Sequence, residues 1–278
     1  MKTNIFVTDI DGTLFDENGK INDLALLALE KLQGKAIRVL ATGRSLPSLR
    51  TFIKENFPAD YLVLSCGVGI VRNSSNQILK TNFLDYKKVL EISDFLKNEG
   101  LSFSIQFPLP ENHKMYFWKG RIHPEDFLFR INKYDGEAFD LKMFEIKNME
   151  YSQIISVVDD VKEAIKLINL LKEKFRDINI IRSTSPVNHQ SVWVEIQNKD
   201  ASKSSGLKQL LEILEIENPN ICGIGNDYND LDFLEICKQA YIVDNSPEEL
   251  KNKFQTVPSV KMGGVYHACK NSGFCEDL

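Results

Sequence analysis

The chain has 278 residues, of which 43% are hydrophobic and 26% are charged, a balance typical of globular proteins and not of disordered or fibrous ones. Its 34 basic and 39 acidic residues give a net charge of -5, which argues against binding to nucleic acid through a basic surface. The apolar runs are shorter than the roughly 20 residues that a membrane-spanning helix needs, so we expect no membrane partner.

The cysteines and the amino-terminal sequence indicate where the protein works. Its five cysteines are odd in number and lack the CxxC spacing of a zinc site or a disulfide framework. Asp9 and Asp11 interrupt the apolar run near the start that a secretory signal would need. We therefore expect a reducing, cytoplasmic location.

The first third of the chain alternates strands with helices. Short runs of β-branched and apolar residues predict strands at 4–10, 36–41 and 61–65. Asn22 caps a predicted helix that stops at Gly34, and Ser45 caps a second. Alternation of this kind predicts right-handed crossovers and a parallel sheet.

From residue 83 to residue 196 the pattern changes. Helices are predicted at 86–98 and 161–175. Short strands are predicted at 102–107, 115–118, 143–147, 153–158, 178–182 and 191–196. This pattern is typical of an α+β layer, with helices on an antiparallel sheet.

After residue 197 the first alternation returns. Helices are predicted at 202–214, from near Asn229, and at 247–253, with strands at 221–224 and 240–243. We therefore predict an α/β protein in which residues 1–82 and 197–278 form one discontinuous, doubly wound domain. Residues 83–196 form an inserted α+β domain.

Four polar clusters lie at predicted strand ends or helix starts, the edge of a parallel sheet where ligands usually bind. The first contains Asp9 and Asp11, whose carboxylates repel each other unless one holds a proton or a cation lies between them. The second, Thr42 and Gly43, offers a hydroxyl and backbone amides before a helix, a setting that binds anions. The third is Lys203, whose charge the helix dipole disfavours near a helix start, which hints at a bound anion.

The fourth cluster follows the strand at 221–224 and brings further oxygen atoms to the same edge. It contains Asn226, Asp227 and Asp230. Together with Asp9 and Asp11, these oxygen ligands suit Mg²⁺, which prefers octahedral oxygen coordination and keeps several waters.

Taken together, the four clusters resemble the motifs of the haloacid dehalogenase (HAD) superfamily of phosphohydrolases. Residues 9–13 match its DxDGT motif, Thr42 the second motif, Lys203 the third, and residues 225–230 the fourth. The size and position of the insertion are similar to those of the Cof-like branch, type IIB, with a large C2 cap. The resemblance implies a Rossmann-like catalytic core, Mg²⁺-dependent phosphoryl transfer through an aspartyl-phosphate, and a mobile cap that selects the substrate.

The resemblance also implies roles for single residues. Asp9 would be the nucleophile and a metal ligand. Asp11 would be the general acid and base, with its backbone carbonyl on the metal and other carboxylates around it. Groups that would hold the phosphoryl oxygens are Thr42, Gly43, Lys203 and Asn229.

The fourth motif departs from the family pattern, which usually has Asp where this chain has Asn226. Either Asn226 ligates Mg²⁺ through its amide oxygen or the loop shifts so that Asp227 does. We favour Asn226, with Asp230 outside the direct ligands.

The resulting prediction is a Mg²⁺-dependent phosphatase of small phosphorylated metabolites, such as sugar phosphates. One alternative is a phosphomutase. Another, motivated by Asn226, is a regulator that binds phosphorylated metabolites but turns them over poorly. A dinucleotide-dependent dehydrogenase is disfavoured because no GxGxxG follows the first strand. The sequence predicts neither the individual substrate nor the oligomeric state.

Overall fold

A computed structural model describes residues 2–121, 123–185, 188 and 190–276. The chain divides into two compact units. The first, called the core unit here, comprises Met1–Arg44, Leu49–Thr81 and Ser202–Leu278, and the second, called the inserted unit, comprises Ser45–Ser48 and Asn82–Ala201.

The core unit contains an eight-stranded sheet with the order β14-β13-β12-β1-β2-β3-β4-β5. Its strands are β1 (Asn4–Thr8), β2 (Ile37–Ala41), β3 (Tyr61–Leu64), β4 (Gly69–Arg72), β5 (Gln77–Thr81), β12 (Asn220–Gly225), β13 (Gln239–Val243) and β14 (Gln255–Val257). The pairs from β14 through to β3 are parallel, whereas β3-β4 and β4-β5 are antiparallel. Apolar residues dominate both faces of β1, as expected of a central parallel strand.

Helices accompany this sheet in the chain order that the alternation predicts. They are α1 (Asp23–Lys31), α6 (Lys203–Ile213), α7 (Leu231–Leu234), α8 (Glu248–Lys251) and α9 (Gly264–Ser272), whereas the residues of α2 (Leu46–Arg50) are divided between the two units. The side chain of Asn22 caps α1 by accepting a hydrogen bond from the Leu24 backbone N–H at 2.9 Å. Leu207 and Leu210 of α6 pack against the sheet residues Val7 and Val63.

The inserted unit contains a six-stranded sheet with the order β10-β11-β9-β6-β7-β8. Its strands are β6 (Phe103–Gln106), β7 (Met115–Trp118), β8 (Ala138–Asp140), β9 (Gln153–Val158), β10 (Ile178–Thr184) and β11 (Val192–Asn198), and its helices are α3 (Tyr86–Asn98), α4 (Glu125–Lys133) and α5 (Val161–Lys174). Apolar residues of α3 and α5 pack on one sheet face. α4 packs on the opposite face of the sheet, against side chains that include Ile155 and Trp193.

The predicted fold class is confirmed, because helices alternate with parallel strands in the core unit. Two antiparallel strands, β4 and β5, extend the sheet beyond what the sequence predicts. The strand predicted at 143–147 is wrong: Met143 is 81% exposed in a turn, and the shorter β8 pairs with β7 instead. The helix predicted from near Asn229 is only a 3₁₀ turn at Tyr228–Asp230 followed by the short α7.

Membrane-spanning helices are absent from the part of the chain that the structure describes, since none of its helices combines the necessary length and apolar character.

Candidate active site

The strand order brings three of the polar loops to one edge of the core sheet. Asp9 follows β1, Thr42 follows β2 and Asn226 follows β12, and β1 lies between the other two strands. All three strands are parallel, so their carboxyl ends meet at the same edge. The local order of the chain therefore places the motif residues in a single site.

Lys203 joins two of the acidic side chains. Its ammonium Nζ lies 2.6 Å from Asp9 Oδ1, 2.5 Å from Asp230 Oδ1 and 3.4 Å from Asn229 Oδ1. The side chains of Lys203 and Asp230 are fully buried, and that of Asp9 is nearly so. The third predicted motif thus supplies a buried cation that bridges the first motif and the fourth.

The charges of this cluster do not fully balance. Burial, together with the nearby Asp230 carboxylate, raises the pKa of Asp9 to about 7 despite the favourable ammonium. Burial also raises the pKa of Asp230. Burial opposes the charge on Lys203, but Asp230 and Asp9 outweigh it and raise the pKa of Lys203 well above its usual value. A site with this excess of negative charge favours an additional cation.

Asp230 organises the loop that contains it. Its Oδ2 accepts hydrogen bonds from the backbone N–H groups of Asn226 (2.8 Å) and Asp227 (3.0 Å), while Oδ1 accepts from Lys203. The Asp227 side chain in turn accepts from the Asp230 backbone N–H, which completes a capping box. A Cβ at Gly225 would lie only 2.6 Å from Asp230 Oδ2, so glycine is required there.

Asn226 lies directly against the loop that follows β1. Thr13 Oγ1 donates a hydrogen bond to Asn226 Oδ1 at 3.1 Å. Gly12 has φ +80°, and a Cβ at this residue would lie 2.4 Å from Asn226 Nδ2. The amide of Asn226 is therefore held beside the residues that contain Asp9 and Asp11.

Gly12→Ala is expected to destabilise the protein by about 1–3 kcal/mol, because alanine is strained at positive φ and its methyl group displaces Asn226. Urea denaturation measures this change. Gly34→Ala is the matched control, since Gly34 has φ +74° and no atom within 4 Å of the added Cβ. Equal losses of stability in the two variants would contradict the close contact with Asn226.

Asp11 has a cationic partner that sequence reasoning missed. The Arg44 guanidinium contacts both of its carboxylate oxygens, with Nε 2.7 Å from Oδ2 and Nη2 2.5 Å from Oδ1. Arg44 also stacks over Phe52, with Cζ 3.9 Å from the ring centroid. The expectation that other carboxylates surround Asp11 is incomplete: the Asp9 carboxylate is close enough to interact with it, but the group in contact with the Asp11 carboxylate is a guanidinium. The only signal in the sequence was a basic residue directly after Thr42 and Gly43.

Thr42 and Gly43 form the turn that leads to Arg44. Thr42 is completely buried, and its Oγ1 accepts a hydrogen bond from the Arg44 backbone N–H at 3.1 Å. Gly43 is exposed and leaves its peptide accessible. The amide of Asn229, the fourth residue predicted to hold phosphate, lies 3.9 Å from Cys66 Sγ and reaches Lys203 with its oxygen.

The oxygen atoms at this edge match the requirements of Mg²⁺. Among the described residues, no group of three or more His, Cys, Asp or Glu side chains could hold a metal on its own. The described residues also place no hydrogen-bond donor on Asp9 Oδ2, which leaves one carboxylate oxygen available to a cation. One carboxylate with an amide oxygen and backbone carbonyls suits Mg²⁺, since this ion keeps several waters and needs few protein ligands.

Acids, a buried lysine and a Thr-Gly turn lie at the carboxyl edge of a Rossmann-like sheet, and comparisons with known proteins identify the family. Residues 6–268 match the model of the haloacid dehalogenase-like hydrolases. The chain belongs to this family, as the motifs predict, and it is an enzyme of the phosphatase type. HAD phosphatases generally use Mg²⁺.

Individual relatives agree with this assignment. A 5-amino-6-(5-phospho-D-ribitylamino)uracil phosphatase of Bacillus subtilis is 24% identical over 93% of this chain and 94% of its own length. A putative phosphatase of Haemophilus influenzae is 23% identical over 90% of each chain. Among solved structures, the HAD subclass IIB sugar phosphatase BT4131 superimposes with a TM-score of 0.75 at 16% identity, covering 98% of this chain and 100% of the other.

Proposed function

We propose that the protein is a Mg²⁺-dependent phosphatase of small phosphate monoesters that works through an aspartyl-phosphate on Asp9. The observation that carries this proposal is the environment of Asp9. One of its carboxylate oxygens is fixed by Lys203 at 2.6 Å, and the described residues place no donor on the other. A nucleophile needs this combination of fixed position and available oxygen.

In the first step, Asp9 Oδ2 attacks the phosphorus of the ester and the bond to the leaving oxygen breaks. Asp11 donates a proton to that oxygen, a contribution of about 10²–10⁴-fold for general acid catalysis. The equatorial phosphoryl oxygens are stabilised by Lys203 and by the Thr42–Gly43 turn. Asp11 performs its role when its carboxyl group leaves Arg44 and faces the substrate.

In the second step, a water molecule attacks the phosphorus of the aspartyl-phosphate and gives a proton to Asp11. The bond between phosphorus and Asp9 breaks, which releases inorganic phosphate and regenerates both carboxyl groups. When bound, Mg²⁺ supplies positive charge that offsets the negative charge of the phosphoryl group.

The groups that would hold Mg²⁺ are the Asp9 carboxylate, the Asp11 backbone carbonyl and the Asn226 amide oxygen. Asp230 would not contact the ion directly. Two contacts favour Asn226 over Asp227. The Asp227 carboxylate caps the following turn, whereas the Asn226 amide oxygen lies at the loop of residues 9–13.

Small phosphorylated metabolites are the proposed substrates, and the inserted unit is proposed to act as the cap that selects among them. The names of the relatives support this class, since one acts on a phosphorylated ribityl compound and a structural neighbour is a sugar phosphatase. A cytoplasmic location remains a prediction from the sequence.

The first test is release of phosphate from p-nitrophenyl phosphate with and without Mg²⁺, and the proposal predicts that release depends on Mg²⁺.

Asp11→Asn is expected to lower turnover of alkyl phosphates about 10²–10⁴-fold while leaving phosphate binding largely intact, because proton transfer and anion binding use different groups. Steady-state kinetics with inorganic phosphate as competitive inhibitor measure both quantities. Near-native turnover in this variant would contradict the role of Asp11.

Incubation with a sugar monophosphate separates the alternatives. Formation of an isomeric sugar phosphate instead of free phosphate would indicate a phosphomutase. Retained phosphate binding without turnover by the unaltered protein would indicate a regulator.

Asn226→Asp is expected to tighten Mg²⁺ binding about tenfold, because a carboxylate replaces a neutral amide at the cation. The Mg²⁺ concentration that gives half-maximal activity and direct titration by calorimetry both measure this change. Asp227→Asn is the matched variant and is expected to change Mg²⁺ affinity little. The reverse ranking would assign the metal to Asp227.

A further inference from the structure

The core sheet has a further strand end beside the candidate active site, and the proposed mechanism uses no residue from it. β13 is parallel to β12 and pairs with it on the side away from β1, so its carboxyl end lies at the same edge of the sheet. The turn that follows β13 contains Asn245, which is exposed and therefore contributes little to the apolar core.

The Asn245 amide joins two segments of the core unit. Its Nδ2 donates to the Gly12 carbonyl oxygen at 2.8 Å, and its Oδ1 accepts from the Val260 backbone N–H at 3.0 Å. Within the part of the chain that the structure describes, no other donor reaches the Gly12 oxygen. Both ends of one amide therefore hold the loop after β1 against the segment that contains Val260.

Gly12 needs an external constraint more than the other residues of its loop. It has φ +80° and no side chain, so few steric barriers restrict the two peptide groups that it joins. One of these peptides carries the Asp11 carbonyl, a proposed Mg²⁺ ligand, and the other carries the oxygen bound by Asn245. A Cβ at Gly12 would lie 2.4 Å from Asn226 Nδ2 and 3.8 Å from Asn245 Nδ2, so two amides flank this glycine. Holding one peptide of Gly12 therefore restricts the direction of the other.

The residue after Gly12 extends the same constraint to the second proposed ligand. Thr13 Oγ1 donates to Asn226 Oδ1 at 3.1 Å. The peptide between Gly12 and Thr13 is the one whose oxygen Asn245 binds. A fixed orientation of this peptide therefore also fixes the Thr13 side chain against Asn226.

We propose that Asn245 is a positioning residue for the Mg²⁺ site. By holding the Gly12 peptide in one orientation, it fixes the Asp11 carbonyl, and through Thr13 it fixes the Asn226 amide. This inference rests on the proposed phosphatase function and adds to it a residue outside the four motifs. Ligands that are already fixed bind a cation more tightly, because less of the chain has to be ordered when the ion binds.

Asn245→Ala removes both hydrogen bonds and is expected to weaken Mg²⁺ binding about three- to tenfold. Calorimetric titration of the full-length protein with Mg²⁺ measures this affinity directly. The Mg²⁺ concentration for half-maximal release of phosphate from p-nitrophenyl phosphate measures it independently. At saturating Mg²⁺, kcat is expected to stay within about threefold of the unaltered value, because Asn245 acts on the metal ligands and not on the reacting carboxyl groups.

Asn22 provides a matched control. Its amide also joins two segments of the core unit, since Nδ2 donates to the Lys261 carbonyl at 2.9 Å and Oδ1 accepts from the Leu24 backbone N–H at 2.9 Å. Neither contact involves residues 9–13. Asn22→Ala is therefore expected to lower stability in urea, as Asn245→Ala does, and to leave Mg²⁺ affinity within about twofold of the unaltered value.

A Mg²⁺ affinity of Asn245→Ala within about twofold of the unaltered value would overturn the inference. An equal loss of affinity in Asn22→Ala would also overturn it, because the effect would then follow from general loosening of the segment that contains Val260 and Lys261. Failure of the proposed function has a different signature, since the unaltered protein would then bind no Mg²⁺ and release no phosphate from p-nitrophenyl phosphate.

Discussion

Asp9→Asn is expected to lower kcat for p-nitrophenyl phosphate at least about 10³-fold, because the amide cannot form the aspartyl-phosphate. The substitution preserves the shape of the side chain and removes a carboxylate whose pKa burial raises to about 7. We therefore expect the folded structure to remain stable. Steady-state kinetics and thermal unfolding, measured on the same preparation, test both statements.

Asp94→Asn is the control, since it removes a carboxylate that is exposed on α3. It is expected to keep full activity. Retention of more than about a tenth of the turnover by Asp9→Asn would contradict the assignment of Asp9 as nucleophile.

Lys203→Met is expected to lower the free energy of unfolding by about 3–5 kcal/mol, because it leaves Asp9 and Asp230 buried without their shared cation. Activity is expected to fall about 10²–10³-fold as one group that stabilises the phosphoryl oxygens is lost. Urea denaturation in the presence of a chelator measures the change in the free energy of unfolding.

The loss of stability in Lys203→Met should depend on pH in a defined direction. Without the ammonium, both carboxyl groups bind protons more readily in the folded state than in the unfolded state. Stability then decreases as pH rises through their raised pKa values, so the deficit is smaller at acidic pH than at alkaline pH.

A second substitution provides the control for this effect. Adding Asp230→Asn removes one of the unpaired charges and is expected to restore part of the stability. A loss below about 1 kcal/mol in Lys203→Met, or no recovery in the double variant, would contradict the bridging role of Lys203.

The strands that build the site are predictable from the sequence because they are buried on both faces. β1 and β2 are short apolar runs that end in polar residues, and this pattern fixes where the loops begin. β5 was missed because its pattern is the opposite: Ile78 is exposed, and Gln77 and Lys80 face solvent as well. The turn before β4 was also hidden, since Ser65 and Cys66 adopt positive φ, which their residue types do not indicate.

The residues of the site are predictable from motifs, but their contacts depend on distant parts of the chain. Lys203 and Asp9 are 194 residues apart, and the ammonium reaches Asp9 only after α6 has packed on the core sheet. Arg44 lies 33 residues from Asp11, and no local sequence pattern predicts the contact between their side chains.

Rapid-quench mass spectrometry on the Asp11→Asn variant with p-nitrophenyl phosphate tests the central claim most directly. p-Nitrophenolate leaves without needing a proton, whereas attack by water still needs the base, so the phosphoenzyme should accumulate. We predict that one phosphoryl group is found on the peptide that contains Asp9. A burst of p-nitrophenol with the phosphoryl group on any other residue, or with none on the protein, would contradict the account.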